Sequence, residues 1–335
     1  MSYNQERLYY LENILSRVPL EEYPQNSRVH RLPSFDTDKL KSYIKREDEL
    51  GFAANGSKLR KYLSAIPHIE SLMPLEVALI GNPYSNHILS MTCLLKQKRI
   101  PYTVFLEGRR EEKKVGNAFF SALITEEENI HWITQEGFSS MDEEAIQSHF
   151  EKKLNKKFFW VPMGAAFQPS FAGSLTLGID IIRNEKNLQC HFTHIFIDAG
   201  TAMMAAALLL LFSFIQKNTH LHIVQMAGNQ ETFARQLQLC RSYFSELFYE
   251  EIETLCPHEL CSPTLAPSFG SVNSSLFAFI AQIARTEGVF LDPLYNAKLF
   301  FACKKKLAFL EGNALFIHSG GALSLSGFQN HNRLQ

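Results

Sequence analysis

Short apolar runs alternate with segments of helical periodicity along most of this chain, and this alternation restricts the fold more than any other feature. The runs are VALI at 77–80, TVFL at 103–106, HIFID at 194–198, HIV at 222–224 and ALFIH at 314–318. Between them, apolar residues recur at helical spacing, as in Ile88, Met91 and Leu95. Strands that alternate with helices predict an α/β fold in which parallel sheets carry helices on both faces.

Length and charge narrow the choice of partner. A chain of 335 residues exceeds what one core usually serves, so we expect two domains. Lysine and arginine total 33 against 34 acidic residues. The chain therefore has no net positive charge that would attract nucleic acid or an anionic membrane surface. The composition therefore favours a small-molecule partner, and the charged stretch at 108–116 is predicted to be a solvated surface loop.

Two other patterns predict a cytoplasmic protein. Six scattered cysteines are typical of reduced thiols rather than of a disulfide framework. The polar N-terminus does not have the pattern of a signal peptide. The most apolar run, 202–215, is shorter than the roughly 20 residues that span a bilayer, so it predicts a buried helix.

The stretch GFAANGSKLRKY at 51–62 places three cations in one turn after a loop of small residues. Gly56 and Ser57 can end the loop and cap a helix, which puts Lys58 in the first turn. Leu59, Tyr62, Leu63 and Ile66 then form one apolar stripe. On a helical wheel Lys58 lies at the edge of this stripe while Arg60 and Lys61 point further away. Lys58 is thus predicted to be the cation nearest the buried side, where the positive helix end lowers the pKa of its amine.

Parallel sheets bind ligands at the carboxyl ends of their strands, so the loops that follow the predicted strands matter most. Three such loops carry polar and small residues, namely GNPYSNH at 81–87, DAGTAMM at 198–204 and HSGGALS at 318–324.

Together these loops and the lysine stretch resemble a family of enzymes, the D-cysteine desulfhydrases and 1-aminocyclopropane-1-carboxylate deaminases. The resemblance runs from about Leu40 to the end, in the family's order and at its approximate spacing. It rests on IKRED at 44–48, NGSKLRK at 55–61, GNPYSNH at 81–87, GNAFFSALI at 116–124, EGVFLDPLYNAK at 287–298 and HSGGALSL at 318–325.

The resemblance implies a two-domain fold type II pyridoxal phosphate enzyme, related to the tryptophan synthase beta subunit. It implies a larger cofactor-binding domain, residues 1–60 and 171–335, and a smaller inserted domain, residues 61–170. Pyridoxal 5'-phosphate would lie in the cleft between the domains, and the protein would be a homodimer.

The resemblance also assigns roles around the reactive lysine. Lys58 would form the Schiff base with the cofactor and later move the substrate α proton. Asn86 would lie beside the phenolic oxygen of the cofactor. Ser85 would hold the substrate carboxylate or act as a polar catalytic group, and Asn86 and His87 would also contact the substrate from this loop, which favours an anion. Taken alone, this tripeptide is also typical of an ordinary helix cap.

Further roles fall on the last third of the chain. Tyr295 matches a catalytic tyrosine, with a buried structural tyrosine as the alternative. Asn296 and Ser319 would lie near the pyridine nitrogen. The deaminases have an acid at the position of Asn296, whereas the desulfhydrases have a neutral group there.

Two departures from the family pattern concern the phosphate and the substrate. Gly200 and Thr201 fit the phosphate loop, but Ala202 and Met203 replace glycines and Met204 replaces a threonine, which predicts weaker cofactor binding. Phe269 replaces a second tyrosine in the substrate site, which puts cyclopropane ring opening in doubt.

Two other kinds of site are set aside. Cys256, His258 and Cys261 in CPHELC have no second ligand pair at suitable spacing, so no metal is predicted. The DAGTAMM loop lacks the glycine pattern of a dinucleotide site.

The sequence thus predicts a pyridoxal phosphate dependent lyase or deaminase of small amino acids. It would release pyruvate, sulfide and ammonia from D-cysteine, or 2-oxobutyrate and ammonia from 1-aminocyclopropane-1-carboxylate. The alternative is a cofactor-binding relative that has lost catalysis and keeps a binding or regulatory role.

Overall fold

The predicted alternation of strands and helices is confirmed in a computed structural model of the protein, which describes residues 3–72, 75–110 and 114–331. Each of the five apolar runs forms a strand, and the strands assemble into two sheets. Within the described residues the strands are β1 (Val29–Arg31), β2 (Leu40–Arg46), β3 (Glu76–Gly81), β4 (Tyr102–Glu107), β5 (Ile130–Ile133), β6 (Phe158–Val161), β7 (His194–Ala199), β8 (His220–Gln225), β9 (His258–Cys261) and β10 (Gly312–His318).

Helices connect and cover these strands. Within the described residues the α-helices are α1 (Gln5–Leu15), α2 (Ser57–Ser71), α3 (Asn86–Gln97), α4 (Asn117–Ile124), α5 (Gln135–Ser140), α6 (Glu143–Leu154), α7 (Phe171–Leu188), α8 (Met203–Phe214), α9 (Gln230–Phe248), α10 (Ser274–Glu287) and α11 (Asn296–Lys304).

The larger sheet has the strand order β1-β2-β10-β7-β8-β9. All neighbours are parallel except β1 and β2. Its two faces belong to different apolar cores: Ile195 and Ile197 of β7 face one core, whereas Phe196 between them faces the other. This alternation follows from the twofold periodicity of a strand, and it brings the carboxyl ends of β10, β7 and β8 to one edge.

The smaller sheet has the order β5-β4-β3-β6 and is parallel throughout. All four of its strands lie between residues 61 and 170, and the strands of the larger sheet lie outside this range. The domain boundaries at 61 and 170 stay a prediction, and the chain crosses the first of them within α2.

Helix α8 is buried along its whole length, as its apolar sequence predicts. It packs in the core on one face of the larger sheet. None of the helices in the described part of the chain is long and apolar enough to cross a membrane. The six cysteines are all free thiols, in agreement with the sequence.

The prediction that Lys58 lies nearest the buried side of α2 is wrong. The apolar stripe is buried as expected, but Arg60 is fully buried and Lys61 is 3% exposed, whereas Lys58 is only partly buried. Helix α7 covers the opposite side of α2, and a Cβ atom on Gly173 would lie 2.0 Å from the carbonyl oxygen of Arg60. A helical wheel assumes one buried face, but α2 is covered on more than one side.

Arg60 is buried in an ion cluster that joins β2, α2 and α7. Its guanidinium contacts Glu47 at 2.5 Å and Asp180 at 2.8 Å. Lys45 contacts Asp180 at 2.5 Å. Buried charges remain ionised only when they are paired, so this part of the IKRED motif has a structural role.

Candidate active site

The loops that the sequence singles out meet at one edge of the larger sheet. Gly56, at the start of α2, has a φ of +73°, and a Cβ atom there would lie 2.0 Å from the carbonyl oxygen of Ser319. The amide of Ser57 donates to that oxygen at 3.0 Å. Only glycine permits this backbone approach, so NGSK and HSGG are placed side by side by their glycines.

Lys58 extends into this meeting point with an unpaired amine. It forms no hydrogen bond or ion pair with the described residues, and its Nζ lies 4.9 Å from the centre of the Tyr295 ring. Burial lowers the pKa of Lys58, although the charges of Asp198 and Asp292 oppose this shift. An uncommitted amine of lowered pKa is the form in which lysine attacks carbonyl carbon.

Tyr295 forms one wall of the site. A Cβ atom on Gly200 would lie 3.1 Å from the Tyr295 ring, so the glycine permits the ring to approach the DAGT loop. Burial raises the pKa of the Tyr295 hydroxyl, and the charges of Asp292 and Asp198 raise it further. Its hydroxyl therefore stays protonated at neutral pH. Phe269 lies beside this ring at 6.0 Å between ring centres and is 56% exposed.

Asn296 is committed to other protein groups. Its Nδ2 donates to Asp292 at 2.6 Å and to the Gly320 carbonyl at 2.7 Å. Its Oδ1 accepts from the Ser319 amide at 2.8 Å and from the Ser319 hydroxyl at 3.3 Å. Asn296 therefore holds Ser319 in place and has no donor left for a ligand.

Asp292 organises the start of α11. Its carboxylate accepts the backbone amides of Leu294, Tyr295 and Asn296 at 2.8–2.9 Å. Such capping fixes the backbone from which the Tyr295 and Asn296 side chains extend.

The SNH tripeptide begins α3, and Ser85 caps this helix by accepting the His87 amide at 3.1 Å. Asn86 accepts a hydrogen bond from Nδ2 of Asn117 at 2.7 Å. Its own Nδ2 faces Gly321, where a Cβ atom would approach to 2.8 Å. Asn117 thus sets the amide orientation of Asn86, whose donor is directed at the HSGG loop.

His87 lies deeper than the other two residues. Its ring is 2% exposed and its Nδ1 contacts the Tyr62 hydroxyl at 3.0 Å. Burial, together with the charges of Lys61 and Lys58, lowers the pKa of His87 to about 3. The ring is therefore neutral and cannot bind a carboxylate as a cation, and its contact with substrate stays a prediction.

The start of α8 has features that favour an anion. No side chain caps this helix in the described structure, although its first residues are buried. The amide of Met203 donates to the Thr201 carbonyl at 2.9 Å, and the following amides of the first turn, together with the positive dipole end, favour an anion. Ala202, the residue before the helix, has a φ of +63°, a conformation that glycine adopts more easily. Met203 and Met204 follow and are both buried.

Lys61 adds a positive charge beside the start of α8. Its Nζ donates to Thr201 Oγ1 at 3.2 Å and to the Gly164 carbonyl at 2.9 Å. Burial lowers the pKa of Lys61 to about 7, and the charge of Lys58 contributes. A bound phosphate would stabilise the charged ammonium.

Sequence reasoning missed three residues of the site. Lys61 lies three residues after Lys58, and residues three apart are neighbours on a helix surface. The sequence could therefore have indicated that both amines lie on the same side of α2. Asn117 lies in the quoted GNAFF motif, but its contact with Asn86 is tertiary. Asp198 ends an apolar strand, where a charge is unusual.

Asp198 lies close enough to Lys58 to influence its pKa. Burial raises the pKa of Asp198 itself, although Ser319 and Lys58 oppose the shift. Its Oδ1 is buried without a hydrogen-bond partner in the described chain. A buried acceptor without a partner is costly, and it marks a place where a ligand donor can bind.

These features fit pyridoxal 5'-phosphate. The uncapped start of α8, Thr201 and Lys61 fit its phosphate, and the unpaired amine of Lys58 fits its aldehyde. The free donor of Asn86 and the hydroxyl of Ser319 fit its ring substituents. In the CPHELC motif, His258 Nδ1 contacts the Cys256 carbonyl at 3.0 Å.

The architecture is that of the fold type II pyridoxal phosphate enzymes. A solved pyridoxal 5'-phosphate-dependent aspartate racemase has this fold with a TM-score of 0.61, 13% identity, and 94% and 95% of the two chains covered. A solved 1-aminocyclopropane-1-carboxylate deaminase homologue matches with a TM-score of 0.81 and 21% identity, over 96% of this chain and 97% of the other.

Sequence comparison gives the same result over nearly the whole chain. The protein is 25% identical over 333 residues to 1-aminocyclopropane-1-carboxylate deaminase of Rhizobium leguminosarum bv. viciae, covering 93% of each chain. It is also 25% identical over 337 residues to D-cysteine desulfhydrase of Serratia proteamaculans, covering 95% of each. No family model matches the chain. The chain is thus similar to the deaminases and desulfhydrases that the sequence motifs suggest.

Proposed function

We propose that this protein is a pyridoxal phosphate dependent lyase or deaminase that acts on a small amino acid, as a D-cysteine desulfhydrase or a 1-aminocyclopropane-1-carboxylate deaminase does. One observation carries this proposal: the unpaired amine of Lys58 lies beside Tyr295, and an uncapped helix start with Lys61 adjoins the same site. These groups match the two reactive ends of the cofactor.

The cofactor would be held at three places. Lys58 would bind its carbonyl carbon, and the amides of Thr201 and the first turn of α8 would bind its phosphate together with Lys61. Asn86 would donate to its phenolic oxygen. Ser319, positioned by Asn296, would contact its pyridine nitrogen. When bound, pyridoxal phosphate supplies an electron sink for a negative charge on the substrate α carbon.

The residues of this chain supply binding and proton transfer. The hydroxyl of Ser85 keeps its proton for donation to a substrate carboxylate, because its oxygen accepts from the His87 amide. Lys58 Nζ, with its lowered pKa, takes the α proton of the substrate. The protonated hydroxyl of Tyr295 is available as a second donor, since the ring centre lies 4.9 Å from that amine.

We expect thiol elimination from D-cysteine to be faster than cyclopropane ring opening. Elimination of thiolate needs only an α carbanion and a good leaving group. Ring opening has carbon as the leaving group and needs an acid and a tyrosine, where this chain has Asn296 and Phe269. If each missing group lowers the rate by about 10²-fold, ring opening falls to a trace.

The measurement is keto acid release by the purified holoprotein from both substrates. Pyruvate and sulfide from D-cysteine should exceed 2-oxobutyrate from the cyclopropane substrate by several orders of magnitude. Faster release of 2-oxobutyrate than of pyruvate would contradict the roles given to Asn296 and Phe269. A Phe269→Tyr variant is the matched test, since it restores only the hydroxyl and should raise ring opening selectively.

A cofactor-binding protein without catalysis is the second candidate. It is favoured by Ala202, which holds a left-handed conformation, and by the buried methionines that follow it. A holoprotein that binds the cofactor at Lys58 but releases no keto acid from a panel of D- and L-amino acids would support this candidate.

Restoring the lost phosphate donor should tighten cofactor binding. Met204 lies in the first turn of α8, so Met204→Thr places a hydroxyl beside the free amides. One hydrogen bond to a charged group contributes about 1.5–3 kcal/mol, which is one to two decades in affinity. The measurement is a fluorescence titration of the apoprotein with pyridoxal phosphate. Met203→Thr is the control, since Met203 is fully buried and its substitution should not tighten binding.

The proposal also includes a homodimer in the cytoplasm. The family resemblance supports a homodimer, and the cysteine usage supports a cytoplasmic location.

A further inference from the structure

Three histidines and a glutamate lie together on the larger sheet, away from the site described above. In the strand register His194 of β7 pairs with His220 of β8, and His222 of β8 pairs with Glu259 of β9. Residues two apart on a strand share a face, and paired residues on neighbouring strands do so too. All four side chains therefore lie on one face of the sheet.

This cluster is remote from the reactive lysine. His194 and His220 are the first residues of their strands, whereas Asp198 and Gly200 lie at or beyond the other end of β7. Asp198 follows His194 by four positions on the strand, which is about 13 Å at the usual rise. Substitutions in the cluster can thus be tested without changing the cofactor site.

The possible ligand atoms are close together. One atom each of His220, His222 and Glu259 lies within 4.8 Å of the other two. The two imidazole rings stack with centres 4.5 Å apart, and His222 also stacks on Phe196 at 4.4 Å. The Nε2 atom of His220 is buried and has no hydrogen-bond partner in the described chain. Packing therefore fixes the orientation of both imidazole rings. The Nε2 atom of His220 remains without a hydrogen-bond partner in the described chain.

His222 has the partners that a metal-bound histidine requires. Its Nδ1 faces Glu259 Oε1 at 2.5 Å and its Nε2 faces His194 Nδ1 at 3.1 Å. Metal-bound imidazole usually donates its second N–H to a neighbouring acceptor. With Nδ1 on a metal, the Nε2–H of His222 would donate to His194.

We propose that His220, His222 and Glu259 bind a divalent transition-metal ion, with zinc as the natural probe. Two imidazoles and one carboxylate are a common zinc ligand set, and water would complete the tetrahedron. Zinc bonds of about 2.0–2.1 Å place ligand atoms roughly 3.4 Å apart, so Glu259 Oε1, which lies 2.5 Å from His222 Nδ1, must move away from that nitrogen. Glu259 can supply this movement because its side chain is 37% exposed.

Lys306 shows how the cluster is balanced without a metal. Its ammonium contacts Glu259 Oε1 at 2.5 Å and Cys261 Sγ at 2.9 Å. A dication would take over this carboxylate and release Lys306 to solvent, since that side chain is 36% exposed. The bound ion would join β9, the edge strand of the sheet, to β8. We therefore expect it to stabilise the sheet edge rather than to act on substrate.

The test is zinc titration of the purified full-length protein against a chromophoric chelator. We expect one zinc ion per chain. His220→Ala and Glu259→Gln should each weaken binding by at least about tenfold, because even changes to the neighbours of ligands cost 10–100-fold. Glu259→Gln removes only a charge from a partly exposed side chain, so its fold is not at risk.

His258→Ala is the matched control. His258 precedes Glu259 on the same strand, and its Nδ1 contacts the Cys256 carbonyl instead of the cluster. This variant should bind zinc as the wild type does. Cobalt substitution should give tetrahedral absorption without a thiolate charge-transfer band.

Three results would overturn the proposal: absence of stoichiometric binding, binding that neither His220→Ala nor Glu259→Gln weakens, or a thiolate band that Cys261→Ser removes. Cofactor content of the same samples, read from its visible absorbance, should be equal in all variants.

Discussion

Replacement of Lys58 by alanine should remove the lysine-bound colour of the holoprotein and reduce keto acid release by roughly 10³-fold or more. The expectation rests on the position of its amine, which is unpaired in the described structure and lies 4.9 Å from the Tyr295 ring centre. Because the side chain is only partly buried and makes no hydrogen bond there, the fold should remain intact. Circular dichroism and thermal unfolding would check this.

Borohydride reduction followed by peptide mapping identifies the modified lysine directly. In the wild type the label should lie on Lys58. Lys61→Ala is the matched control from the same helix turn: it should keep the label on Lys58 while weakening cofactor affinity by one to two decades, because the proposed phosphate contact is lost together with the hydrogen bonds to Thr201 and Gly164. A label on Lys45, Lys61 or Lys298 would contradict the assignment and, with it, the proposed function.

Replacement of Glu47 by glutamine should lower the free energy of unfolding by about 3–5 kcal/mol. Glu47 is fully buried and contacts Arg60 at 2.5 Å. Glutamine carries no charge, so the buried guanidinium of Arg60 would lose one of its two anionic partners. Breaking a buried ion pair in this way is strongly destabilising. Urea unfolding monitored by circular dichroism provides the measurement.

Glu49→Gln is the matched control two residues further along. Glu49 pairs with Arg28 at the surface, where the arginine side chain is 59% exposed, and it also contacts Arg46 at 3.2 Å. An exposed pair contributes about 0–1 kcal/mol, so this variant should unfold nearly as the wild type does. Equal effects of the two substitutions would mean that burial of the ion cluster does not determine its contribution.

The pH dependence of the Glu47→Gln effect has a defined sign. Burial raises the pKa of Glu47, but Arg60 and Lys45 outweigh burial and lower it below the ordinary value. A lowered carboxyl pKa contributes stability above the unfolded pKa, and this contribution is lost as the pH falls through the folded pKa. The difference between wild type and Glu47→Gln should therefore shrink in acid.

The sequence by itself determined the fold class, because periodicity and apolar runs are local properties. The run HIFID forms β7, and 202–215 gives the buried helix α8. The order of motifs also indicated a fold type II enzyme with Lys58 as its reactive lysine. In the structure Gly56 and Ser319 adjoin, since only glycine permits that approach.

Only the tertiary structure decided which charged and polar groups are free. Asn296 is an expected cofactor contact in the sequence, yet its amide is committed to Ser319 and Gly320. Arg60 and Lys61 are directed towards solvent on a helical wheel, yet α7 and the DAGT loop bury them. Burial depends on what covers a helix from other parts of the chain, which no local pattern contains.

The histidine cluster likewise depends on contacts between residues that are far apart in the sequence. His220 and Glu259 are separated by 38 residues and share no motif, whereas the sequence drew attention to the neighbouring CPHELC residues. The parallel register of β8 and β9 places Glu259 beside His222 and turns His258 away. Because that register is set by packing of whole strands, the possible metal site becomes visible only when the sheet is assembled.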